Sequence, residues 1–117
     1  MDKEASSQPK VESEVWNAIA AFEQILEAIP NDRVALETLF EAYEQIGDKT
    51  RAMDYLLKLA TSIAEESDVD AAPDIIQKLN KYAADSADIK AMLNQLERLL
   101  VKNKMPASAT SAGDGGK

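Results

Sequence analysis

Apolar residues recur along this chain at three- and four-residue steps, interrupted by short polar turns. Such steps place side chains on one face of an α-helix. The first run covers 11–29, with Val15, Ile19, Phe22, Leu26 and Ile29 as its stripe and Trp16, Ala18 and Ile25 widening it. Pro30 ends it, because proline lacks an amide donor and restricts the residue before it. The second run covers 33–46, with Leu36, Leu39, Phe40, Tyr43 and Ile46 apolar and Asn31 or Asp32 as its cap. Gly47 stops it where a left-handed residue is cheapest, and Asp48 caps a third run over 49–65. In that run Ala52, Met53, Leu56, Leu59, Ala60 and Ile63 face inward. A fourth helix starts at Pro73, which fits a first helical turn, and carries Ile75, Ile76, Leu79 and Tyr82. After a cap at Asp85 or Ser86, a fifth reaches Val101 with Ile89, Met92, Leu93, Leu96, Leu99 and Leu100 inward. No stretch alternates with period two among β-branched residues, so the pattern predicts an all-α chain of five helices and no sheet.

Composition narrows the picture. The 117 residues suit one small domain, and aromatic residues are only 5%, so the core is mainly aliphatic. The ends, 1–10 and 104–117, are polar or rich in Ser, Ala and Gly, and read as disordered tails, the second also as a linker. The helical domain is thus expected at 11–103. Net charge is -8, which argues against nucleic acid and anionic lipid and favours a basic or neutral protein partner. The first ten residues lack the apolar core of a signal peptide, and no apolar run is long enough for a membrane span. The expected location is the cytoplasm.

The chemistry for catalysis is sparse. With no cysteine and no histidine, thiolate nucleophiles, ordinary zinc sites and the commonest general base are gone. Asp68, Asp70 and Asp74 have the spacing of a calcium loop. Such a loop needs glycine sixth and glutamate twelfth, and those positions hold Pro73 and Leu79. The three aspartates therefore read as helix caps and loop solvation. The terminal "GDGGK" lacks the spacing and flanking elements of a phosphate loop. No catalytic residue, cofactor or metal site is assigned, and the expectation is a protein that is not an enzyme.

The runs also repeat. Ala18, Phe22 and Ile25 correspond to Ala52, Leu56 and Leu59, each pair 34 residues apart. Leu36-x2-Leu39-Phe40-x2-Tyr43, Gly47 at the turn, then Ala52-x3-Leu56, make one helix-turn-helix unit. Ala18-x3-Phe22 with Pro30 is the second half of a unit before it. In period and motif this resembles the tetratricopeptide repeat (TPR) family. Leu36 stands where that family often has tryptophan, and Phe40 where it has a small residue. Tyr82 and Ala91 echo Tyr43 and Ala52 at an offset of 39, with Gln95 in place of a large apolar residue, so the last unit reads as a degenerate or capping hairpin. The expected division is a half repeat at 11–30, a full repeat at 31–66 and the hairpin at 70–103.

The resemblance implies a right-handed stack of helical hairpins and a scaffold or adaptor role. The family's groove-facing positions fall on Val34, Glu37, Glu41, Glu44 and Gln45, the candidate partner-binding residues. Glu37, Glu41 and Glu44 lie four and three apart on one helix face. Family members that clamp an acidic chaperone tail use Lys and Asn in this groove; three glutamates would repel a carboxylate, so the expected partner segment is basic or polar. The alternative is self-assembly as a homodimer, with Trp16 and the Leu96, Leu99 and Leu100 end as pairing edges. Docking within a larger machine, such as a secretion or pilus assembly component, belongs to the same alternative.

Overall fold

The computed structural model describes residues 3–112, with side chains over 13–103. Among the described residues the helices are α1 (Lys3–Ala28), α2 (Arg33–Gln45), α3 (Lys49–Glu65), α4 (Ala72–Tyr82) and α5 (Ala87–Ala112), with a 3-10 turn at Ala83–Asp85. No strand occurs among the described residues. The fold is all-α, as the periodicity predicts. α1 and α5 run further than the expected domain, into both segments read as tails. Neither stretch contains a glycine before Gly113, although Pro9 and Pro106 within these bounds each remove one ladder hydrogen bond. Met1, Asp2 and residues 113–117, which include the "GDGGK" stretch, lie outside the described residues.

Where one helical domain was expected, the chain divides into two compact units, Met1–Leu59 and Ala60–Lys117. The division falls inside α3, within the expected full repeat rather than at a repeat boundary. In the first unit α1 packs on α2. Its core is Ile19, Ala35, Leu36, Leu39, Phe40, Tyr43, Ala52, Leu56 and Leu59, all nearly fully buried. In the second unit α4 packs on α5, and Ile63, Ala72, Ile75, Leu79, Tyr82, Ile89, Leu93 and Leu96 are buried.

The helix ends follow local chemistry. Asp32 caps α2, its Oδ1 accepting from the Ala35 amide at 2.9 Å. Gly47 takes φ +83° at the other end. There the Asp48 amide donates to the Tyr43 carbonyl at 2.9 Å and the Gly47 amide to Glu44 at 3.1 Å, a Schellman closure. Asp48 then accepts from the Arg51 amide at 3.1 Å. α3 ends the same way: Ser67 has φ +52°, and the Asp68 amide donates to the Ile63 carbonyl at 3.0 Å. Asp68 Oδ1 accepts from the Ala71 amide at 3.2 Å, and Asp74 pairs with Lys78 at 2.9 Å. Ser86 settles the last cap, its Oγ accepting from the Ile89 amide at 3.2 Å.

Several inward assignments are corrected. Among the described side chains of α1 only Ile19 is nearly fully buried, whereas Trp16 and Ile25, and Ile29 just past its end, are 48%, 37% and 54% exposed. The α1 stripe is wider than the surface α2 offers it. Leu96 is fully buried and cannot serve as a pairing edge. Ala91 is exposed while Ala52 is buried, so the 39-residue echo ends at Tyr82.

Candidate functional site

Two features of the first unit gather polar groups. The first is the outer face of α2. Asp32 and Gly47 fix where that helix starts and stops, and Leu36, Leu39 and Tyr43 fix its rotation by burying one side. The five candidate residues then fall away from the core. Val34 is 67% exposed, Glu41 and Gln45 are exposed, and Glu37 and Glu44 are half-buried. Glu37 and Glu44 already engage other groups of the protein.

Glu41 and Gln45 line a shallow groove of about 250 Å³ with Thr38 and Ala42 of α2 and Glu14, Val15 and Ala18 of α1. Its floor is small and apolar, and a carboxylate stands on each helix. Val34, Glu37 and Glu44 are not among its lining residues. The α1 side of this groove, Glu14 above all, was missed from the sequence. The signal was Ala18 itself, whose small side chain leaves room between the helices. Charge reinforces the geometry. From Glu12 to Ile46 the sequence carries eight acidic residues and one basic residue, Arg33.

The second feature lies on the inner side of the same helices. One carboxylate oxygen of Glu23 accepts hydrogen bonds from the hydroxyls of Tyr43, at 2.9 Å, and Tyr55, at 3.1 Å. The two rings stack with centroids 5.7 Å apart and planes 7° from parallel. Trp16 meets Tyr43 edge-on at 6.2 Å. The Arg51 guanidinium lies 5.7 Å from the Tyr43 ring centroid, and Lys58 5.3 Å from that of Tyr55. Burial, then the hydrogen bond to Glu23, pushes the Tyr55 phenol up to about 12, and the same causes raise Tyr43. The Tyr43 hydroxyl in turn raises Arg51. Both phenols therefore stay protonated donors, and the cluster acts as a clasp joining α1 to α2 and to the first half of α3. Sequence reasoning passed over Glu23. It shares a helix face with Ile19, Phe22 and Leu26, and an acid on an apolar face signals a buried donor opposite.

Among the described residues, no group of three or more His, Cys, Asp or Glu side chains could hold a metal ion. None of the described helices is long and apolar enough to cross a membrane. Comparison with known proteins gives no match to any family model, curated protein or solved structure.

Proposed function

We propose that this chain is a non-enzymatic, TPR-like protein-interaction module of the cytoplasm, which holds a basic or polar segment of a protein partner against the acidic face of α2. The observation that carries this is the groove beside α2, where Glu41 and Gln45 meet Glu14 over an apolar floor of Val15, Ala18 and Ala42. A lysine or arginine stem can lie along such a floor while its charged head reaches the carboxylates. The 34-residue echo supports the repeat reading. The exposed Ile25 and Ile29 support it too, since a half repeat leaves open the face that a preceding helix would cover.

The test is calorimetric titration with two synthetic helical peptides, one with lysines one turn apart and one with glutamates in their place. The lysine peptide binds and the glutamate peptide does not. Glu41→Lys weakens binding about fivefold or more, and the triple change Glu37→Lys, Glu41→Lys, Glu44→Lys abolishes it. Equal uptake of both peptides, or full binding by the triple variant, sinks the assignment of this face.

A further inference from the structure

The chain carries a segment of the kind its own acidic groove would accept. On α5, Ile89, Leu93 and Leu96 are buried. The opposite side of that helix presents Asn94, Arg98 and Lys102, all exposed, with Val101 beside them at 57% exposure. Arg98 and Lys102 are one turn apart, about 6 Å along the axis. Glu97, also exposed, stands one turn before Val101, on the side away from Lys102. Neither cation makes an ion pair among the described residues, and neither do Glu14 and Glu41.

We propose that the groove between α1 and α2 docks the α5 ridge of a second copy of this chain. The match is of polarity and charge. The exposed Val101 covers the apolar floor of Val15, Ala18 and Ala42, while Arg98 and Lys102 reach Glu14 and Glu41, one carboxylate on each bank. Solvent-exposed valine is thereby removed from water, and four charges gain opposite partners. The contact joins two different surfaces, so it is head-to-tail, and a pair of copies keeps one free ridge on the first and one free groove on the second for further neighbours. The inference rests on the reading that this face takes a basic segment, and it names that segment.

The experiment is sedimentation equilibrium of the full chain across a range of concentrations, at low and high salt. The mean mass rises with concentration and falls with salt. Glu14→Arg with Glu41→Arg, and separately Arg98→Glu with Lys102→Glu, each weaken association about tenfold or more, because like charges then face each other. An equal mixture of the two variants restores association, which no folding defect could do. A wild-type chain that stays monomeric throughout overturns the proposal, as do variants that associate like wild type or a mixture that stays monomeric. The lysine peptide separates the two levels. A monomeric chain that still binds that peptide overturns self-docking alone; a chain that does neither overturns the acidic-face reading as well.

Discussion

Five of the six aromatic residues lie in the first unit, Trp16, Phe22, Phe40, Tyr43 and Tyr55, and the second has Tyr82 alone. The first unit also carries the carboxylate clasp at Glu23, whereas the buried residues of α4 and α5 are aliphatic apart from Tyr82. Both solutions bury a core, but they specify different things. Aliphatic burial is non-directional and tolerates small shifts of one helix against another. A carboxylate that must meet two hydroxyls within hydrogen-bond distance fixes rotation and register together. The unit with the fixed register is also the one that carries the acidic groove, whose two banks belong to different helices. A groove shared by two helices keeps its shape only if they cannot slide.

The largest test of this contrast is truncation of matched core leucines. Leu39→Ala in the first unit and Leu79→Ala in the second each remove a fully buried side chain. Each is expected to cost about 2–5 kcal/mol in chemical denaturation. Trp16 fluorescence reports the first unit, because the indole sits against Tyr43. A loss under 1 kcal/mol at either position, on the order of a volume-conserving swap, would show that unit to be loosely packed and remove the basis of the comparison.

Breaking the clasp comes next. Glu23→Ala leaves two phenol hydroxyls without their acceptor and is expected to cost about 1–3 kcal/mol. Glu23→Gln keeps an acceptor oxygen and costs less. Because the clasp fixes the register of α1 on α2, Glu23→Ala also weakens lysine-peptide binding at the groove, although Glu23 does not line it. Unchanged peptide affinity in a destabilised Glu23→Ala chain would reduce the clasp to stability alone.

Alkaline pH probes the same cluster more gently. In the fold the Tyr55 phenol sits at about 12, against an ordinary value of 10.0, and Tyr43 moves the same way. Below the ordinary value both folded and unfolded chains hold these protons, and the clasp contributes in full. As pH rises from 10 towards 12 the unfolded chain releases them first, so stability falls through that window. Denaturation midpoints followed through Trp16 should decline there, and phenolate absorbance should place Tyr55 well above its ordinary value. Titration of Tyr55 at the ordinary value would contradict the hydrogen bond to Glu23.

Periodicity alone exposed the helices, because burial on one side of a helix writes itself into the spacing of apolar residues. Gly47 was readable as a stop for the same local reason, and the caps as pairs, Asn31 or Asp32 and Asp85 or Ser86, of which the structure uses Asp32 and Ser86. What could not be read was which stripe residues find cover. Trp16, Ile25 and Ile29 share the apolar character of Ile19 but not its burial, and that depends on how much surface a neighbour offers. The division within α3 escaped for a similar reason, since a continuous helix carries no local mark of where its contacts change. On the candidate face, spacing placed Glu37, Glu41 and Glu44 on one side of α2, and the family resemblance added Val34 and Gln45; only Glu41 and Gln45 of these line the groove. The opposing bank at Glu14 comes from another helix, and only packing brings it there.

The smallest effect concerns the two helix ends built alike. Gly47 and Ser67 each follow a helix in left-handed backbone, and each precedes an aspartate whose side chain accepts from an amide three residues on. Glycine adopts this conformation freely, while a residue with a Cβ strains by about 1 kcal/mol. A Cβ at Gly47 would meet nothing within 4 Å, so Gly47→Ala makes no clash and should destabilise by about that strain, less the entropy that alanine removes from the unfolded chain. Ser67→Gly should move the other way by a similar amount, less the entropy that glycine adds to the unfolded chain. Paired denaturation curves with opposite shifts would show that the first turn is already relaxed and the second holds strain. If Ser67→Gly destabilises instead, the serine side chain contributes more at that turn than the backbone loses, and the likeness between the two ends is one of geometry only.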